Sequence, residues 1–227
     1  MIRFVFFDAV GTVLHPFPSV SEIYRQVGVK YGCTEPLEAL RLKVRSAFQS
    51  QEEQDRDLRF ATSERRERRR WIEIVAASLP EANDPEECFD ELYGFFGKAN
   101  AWKLDPRLTN WIDLLDRHGI GMGLASNFDH RLRALVAAFP LLGRFAPVVI
   151  SSELGWRKPA AGFYEEVIRL GGGQAGEILF VGDHPEFDVA RPKSHGMKAA
   201  LIDEFARDPL FWLQDRTASS VKALQKA

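Results

Sequence analysis

"FVFFDAVGT" (residues 4–12) is an apolar run that ends in one carboxylate, Asp8, and turns at once on Gly11. A continuous string of β-formers with no polar alternation describes a strand covered on both faces, as in a parallel sheet. The run extends back to give "IRFVFFD" (2–8), and four later runs have the same form. They are "IGMGLASN" (120–127), "APVVISS" (146–152), "EILFVGD" (177–183) and "KAALID" (198–203). Each ends in polar residues, and helical patterns or loops separate the last four. This alternation predicts an α/β doubly wound domain.

Residues 19–100 are built differently. Helical patterns run near 20–31, 36–55, 63–79 and 85–99, broken by "YGCTEP" and "LPEANDP", with no convincing strand. Asp84 before Pro85, followed by Glu86 and Glu87, reads as a helix start. Pro16 and Pro18 mark one junction and "WKLDP" (102–106) the other. The expected organisation is therefore a core of residues 1–17 and 103–227, interrupted by an all-helical unit of residues 18–102. Both ends of that insertion emerge at the C-terminal edge of the first strand, where open α/β sheets bind ligands. The densest charge run, "SERRERRRW" (63–71), sets Glu64 and Glu67 among arginines at i,i+3 and i,i+4 spacing. It is expected to be a solvated helix face, with an anion-attracting face of the helical unit as the alternative.

The chain has 227 residues, 45% of them hydrophobic and 27% charged, which suffices for a sizeable core with a small accessory unit. A net charge of -2 offers no global basic field to nucleic acid or membrane. No apolar run approaches the roughly 20 residues of a membrane span, and the N-terminal run does not read as a signal peptide. Cys33 and Cys88 form no CxxC pattern, so two reduced thiols in a cytoplasmic protein are expected. Nothing in the sequence specifies an oligomeric state.

A parallel sheet would gather the polar strand ends on one edge. Asp8 closes the first strand; Ser126 and Asn127 close the second. Lys158 follows the third in "GWRKPAAGFY", with Pro159 at an expected helix start. Asp183 closes the fourth, and Asp188 follows in the loop "GDHPEFD". Such a set suits phosphoryl transfer. A carboxylate can attack phosphorus and divide one difficult step into two. Mg²⁺ favours carboxylate and carbonyl oxygens, which Asp8 and Asp183 could supply. Lys158 would neutralise charge on the transferring group, and the Ser126 hydroxyl with the backbone N–H groups near Ala9 and Val10 would hold its oxygens.

In this order the motifs resemble those of the haloacid dehalogenase-like hydrolase superfamily, in its branch with a helical cap inserted after strand one. "FFDAVGTVLHP" is similar to its first motif, "GLASN" to its second, "RKP" to its third and "FVGDHPEFDVA" to its fourth. The resemblance covers nearly the whole chain. It implies a Rossmann-like core under a mobile cap, with Asp8 as nucleophile of an aspartyl intermediate. It implies Ser126 and Lys158 as groups that bind and stabilise the transferring group. It also implies Mg²⁺ held by Asp8, the main-chain carbonyl of Val10 and Asp183, with Asp188 acting through water or from behind. Residues 11–18 and the cap would close over a small anionic substrate.

Val10 departs from that pattern, because phosphatases of the family usually carry there an Asp that protonates the leaving group and then activates water. Valine can do neither, and loss of a positioned acid/base typically costs about 10²–10⁴-fold. The expected activity is hydrolysis of a phosphate-type substrate whose leaving group needs no acid. His184 is the nearest alternative proton carrier in sequence. A 2-haloacid dehalogenase is a second reading, since those relatives also lack the second Asp, but Gly182-Asp183 argues for a retained metal. A phosphonoacetaldehyde hydrolase-like enzyme would need a cap lysine, for which Lys30 and Lys43 are candidates. A catalytically weak binding protein is the remaining alternative.

Overall fold

The computed structural model describes residues 1–213, so the part of the expected core beyond residue 213 lies outside it. The described residues hold seven strands: β1 (Phe4–Phe7), β2 (Leu14–Pro16), β3 (Trp102–Leu104), β4 (Gly121–Ser126), β5 (Val148–Ile150), β6 (Ile178–Gly182) and β7 (Lys198–Leu201). Five of them form a parallel sheet in the order β5-β4-β1-β6-β7. β1 is central. It pairs Phe4 with Gly121 of β4 on one side and with Ile178 of β6 on the other. All five strands point the same way, so the ends of β4, β1 and β6 lie side by side.

The lack of polar alternation in β1 has a direct cause. Val5 and Phe7 enter one hydrophobic cluster, and Phe6 enters another on the opposite face. Phe7 packs against Trp111, Phe145 and Phe205, whereas Phe6 shares its cluster with Phe163, Tyr164 and Phe180. Burying each such side chain contributes roughly 1.5–3 kcal/mol, so both faces hold the strand in place.

Four helices lie between β2 and β3: α1 (Val20–Lys30), α2 (Leu37–Asp57), α3 (Glu64–Ser78) and α4 (Pro85–Phe96). Three of them start on a recognisable signal. Ser19 accepts the Glu22 N–H in a capping box, Ser63 accepts the Arg66 N–H, and Asp84 accepts the Glu87 N–H with Pro85 in the first turn. The molecule is thus an α/β Rossmann-like core with an inserted all-helical cap. Further helices of the core are α5 (Leu108–Arg117), α6 (Arg131–Ala138), α7 (Ser151–Leu154) and α8 (Ala161–Leu170). No described helix is long and apolar enough to cross a membrane.

Several expectations need correction. β2 and β3 form a two-stranded antiparallel ribbon at the root of the cap, with Leu14 opposite Leu104. Three residues per strand carry too little pattern to be read from sequence. The expected third strand is shorter, because Ser151 and Ser152 begin α7. Helix α8 starts at Ala161, two residues after Pro159. The segment after β6 is one turn of π-helix, Pro185–Ala190, a rare form that concentrates at functional sites. The run 63–71 is not a uniformly solvated face either. Glu67 and Arg70 are only 2% and 4% exposed.

Candidate active site

Asp8 leaves the end of β1 and is buried. The chain then turns sharply. The Ala9 carbonyl accepts the N–H groups of Thr12, Val13 and Leu14, and the Leu14 carbonyl accepts that of Gly11. These bonds use neither the N–H groups of Ala9 and Val10 nor the carbonyl of Val10, which takes no hydrogen bond among the described residues. The turn needs glycine on two counts. Gly11 has φ +87°, and a Cβ there would stand 2.2 Å from Asp183 Oδ2.

The other expected residues converge on Asp8. Ser126 Oγ donates to Asp8 Oδ1 at 3.0 Å. Lys158 Nζ donates to the same oxygen and to Asp188 Oδ1, both at 2.7 Å. One carboxylate oxygen of Asp8 is therefore held, while Oδ2 takes no hydrogen bond among the described residues. Asp188 also accepts the His184 N–H at 3.0 Å, which fixes it within the π-turn. A Cβ on Gly182 would lie 2.3 Å from the Asp188 carboxyl carbon, so both glycines make room for carboxylates.

Asn127, expected to touch substrate, is engaged otherwise. Its Oδ1 accepts the Lys158 N–H at 2.7 Å and its Nδ2 donates to the Lys158 carbonyl at 3.0 Å. It lines the cleft but spends its amide on holding the Lys158 backbone. His184 also lines the cleft. Its Nδ1 accepts the Glu186 and Phe187 N–H groups, and its ring stacks on Phe187 at 4.1 Å, so it caps the π-turn.

The charges at the strand ends do not balance. Burial first, and then the charges of Asp188 and Asp183, push Asp8 up to about 7 against the pull of Lys158. Asp183 is likewise raised, by desolvation first and then by Asp188. Burial alone would lower the Lys158 ammonium, but Asp188 and Asp8 outweigh it and hold the group charged. Asp8, Asp183 and Asp188 can each place a carboxylate oxygen within 4.8 Å of the others. Oxygen donors clustered this closely, with an unengaged carbonyl at Val10 and only one ammonium between them, fit a hard divalent cation.

The cleft in front of Asp8 has a volume of about 260 Å³ and is roofed by the cap. The turn between α2 and α3 is stitched to the core: the Arg157 N–H donates to the Phe60 carbonyl at 2.9 Å and the Thr62 N–H to that of Gly155 at 3.0 Å. Arg59 and Phe60 in this turn have φ values of 52° and 61°. Two consecutive non-glycine residues in the left-handed region are costly, and the second lines the cleft. Beside Lys158, the buried Arg157 side chain pairs with Glu67 of α3 and with Asp55 of α2, the latter at 3.4 Å. The sequence reading missed Arg157, Asp55, Glu67 and Arg70. Only the position of Arg157 next to Lys158 could have hinted at one of them.

The model of the haloacid dehalogenase-like hydrolases matches residues 2–196. Among curated relatives, an uncharacterized hydrolase of Schizosaccharomyces pombe is 26% identical over 212 residues, spanning 89% of this chain and 91% of its own. A phosphoserine phosphatase of Thermus thermophilus is 28% identical over 137 residues, spanning 59% of this chain and 55% of its own. Among solved structures, an L-2-haloacid dehalogenase superposes with a TM-score of 0.70 at 20% identity, over 94% of this chain and 99% of that one. The chain belongs to the haloacid dehalogenase-like hydrolase family.

Proposed function

We propose that this hydrolase cleaves a small phosphate-type substrate with a good leaving group, through an aspartyl intermediate on Asp8 and with Mg²⁺ as cofactor. The cluster of Asp8, Asp183 and Asp188 carries this reading, because a metal-independent displacement has no need to crowd three carboxylates. The phosphatase among the relatives also supports it. Asp8 Oδ2 is the free nucleophilic oxygen. Ser126 and Lys158 hold the other oxygen and steady the oxygens of the transferring group, assisted by the N–H groups of Ala9 and Val10. Asn127 keeps Lys158 in place through its backbone. Asp8, the Val10 carbonyl and Asp183 would hold Mg²⁺, with Asp188 behind them. The ion when bound would neutralise charge on the transferring group. Residues 18–102 act as the cap and residues 11–18 as its flap, together excluding water.

Val10 donates no proton, so the leaving group departs as a stable anion, as an acyl or aryl oxygen does. Val10 also favours a second reading, a haloacid dehalogenase, in which halide leaves unprotonated. Assays of acetyl phosphate, p-nitrophenyl phosphate and 2-chloropropionate with and without Mg²⁺ separate the two. Mg²⁺-dependent turnover of the phosphates is expected, and metal-independent chloride release would overturn it. Absence of all turnover and of a beryllofluoride adduct on Asp8 would leave a binding protein. Val10→Asp is the sharper probe. It is expected to raise kcat on alkyl phosphates by about 10²-fold or more and on aryl phosphates far less. Equal gains on both would contradict the leaving-group argument.

A further inference from the structure

The ion pairs on the cap side of the cleft do not balance either, and the surplus has the opposite sign. Three guanidiniums, Arg66, Arg70 and Arg157, meet two carboxylates, Asp55 and Glu67. Asp55 serves all three, taking Arg66 on Oδ1 at 3.0 Å, and Arg70 at 3.0 Å and Arg157 at 3.4 Å on Oδ2. Glu67 takes Arg157 and the Thr62 hydroxyl. Glu52 lines the cleft as well; it forms an ion pair with none of the three, but its charge acts on Arg157 from a distance.

Arg70 is the group left short. It is 4% exposed, and its one hydrogen bond runs from Nε to Asp55. Its two Nη groups donate to nothing among the described residues, yet the side chain lines the cleft. Burial, and then the charge of Arg157, push its pKa down to about 10, against the pull of Asp55 and Glu67. A guanidinium offers five N–H donors in a planar fork that matches an oxyanion. The two Nη groups are reached from the cleft, so a ligand there can supply the acceptors they lack.

The walls beside Arg70 state what that ligand looks like. Phe48, Phe60, Trp71, Phe96, Trp102 and Phe128 line the same cleft. Phe48 and Trp71 pack edge to face at 5.5 Å, and the Arg70 guanidinium lies 5.8 Å over Phe48. Rigid aromatic surface next to an open cationic fork suits a flat apolar group that bears a carboxylate. We infer that Arg70 is a substrate-recognition residue: it receives a carboxylate carried on an aromatic leaving portion, while Lys158 attends to the transferring group. This rests on the phosphate-hydrolase reading only for the identity of what is transferred.

The test compares phenyl phosphate with 4-carboxyphenyl phosphate in Mg²⁺-loaded protein. A preference in kcat/KM of about 10- to 100-fold for the carboxylated ester is expected, carried mainly by KM. Arg70→Met should erase that preference and Arg70→Lys should keep part of it. A wild-type enzyme indifferent to the carboxylate would overturn the inference. So would an Arg70→Met variant that loses both esters equally, since Arg70 would then serve the transferring group. Binding of benzoate against benzamide, followed by the fluorescence of Trp71 and Trp102, needs neither turnover nor metal. Benzoate binding that is lost in Arg70→Met supports the inference, and equal binding of the two overturns it. Acetyl phosphate turnover reports on the phosphate-hydrolase reading separately, so either idea can fail while the other stands.

Discussion

Two clusters of charge, each with buried members, face each other across one cleft, and their ion pairs are unbalanced in opposite directions. At the strand ends, three carboxylates share the single ammonium of Lys158. On the cap side, three guanidiniums share the two carboxylates of Asp55 and Glu67. Buried charges are normally paired, because an isolated one is expensive in a low-dielectric place. Each cluster is therefore incomplete as a piece of architecture and complete only as half of a site. The lower one lacks a cation and the upper one lacks an anion. Arg157 and Lys158 are adjacent in sequence, so one short segment anchors both.

The two clusters should therefore respond to opposite substitutions. In the metal-free protein, Lys158→Met leaves three carboxylates with no counter-charge and should destabilise the fold by about 3–5 kcal/mol. Asp183→Asn removes a member of the surplus and should leave metal-free stability unchanged or higher, although it costs metal affinity and activity. Urea denaturation of both variants in EDTA checks this. If Asp183→Asn were the more destabilising change, the lower cluster would not be strained by its own charge.

The mirror-image pair in the cap should show a smaller contrast. Glu67→Gln takes the nearest negative charge from Arg157, leaving Asp55 at 3.4 Å as its ion-pair partner, and should cost about 2–3 kcal/mol. Arg70→Met removes surplus cation and replaces it with an apolar side chain among aromatics, so about 1 kcal/mol or less is expected. Equal losses in the two variants would mean that the upper cluster is balanced, by Glu52 or by another group, and would weaken the case for a substrate anion at Arg70.

The two clusters also differ in how far sequence reveals them. Asp8, Ser126, Lys158, Asp183 and Asp188 each end or follow a strand, and strands of a parallel sheet end on a common edge, so their convergence is legible in the order of the residues alone. The cap cluster follows no such rule. Asp55, Glu67 and Arg70 sit on helices within a charge-dense stretch, where an i,i+3 or i,i+4 reading makes every residue solvated. Which of them turn inward depends on how α2 packs on α3 and on where Arg157 enters, and this is tertiary information. Asn127 is legible as a site residue but not in its task, because its contact with the Lys158 backbone spans two strand ends. The ribbon of β2 and β3 escapes notice because Pro16 and three-residue strands leave no periodicity to detect.

The smallest expected effect concerns metal and pH, and it tests the lower cluster without any substitution. Asp8 keeps its proton up to about 7 in the folded protein, whereas an unfolded Asp releases it near about 3.9. Between those values the folded state binds more protons than the unfolded state, so stability must fall as pH rises through that window. Asp183 is shifted in the same direction and adds to the slope. A divalent cation compensates the ionised carboxylates, so Mg²⁺ should raise the melting temperature more at pH 8 than at pH 5. Each kcal/mol of binding corresponds to about 2–4 °C in a chain of this size. Scanning fluorimetry at the two pH values, in Mg²⁺ and in EDTA, reads the difference directly. A shift of equal size at both, or one that survives in Asp183→Asn, would place the ion somewhere other than among these three carboxylates.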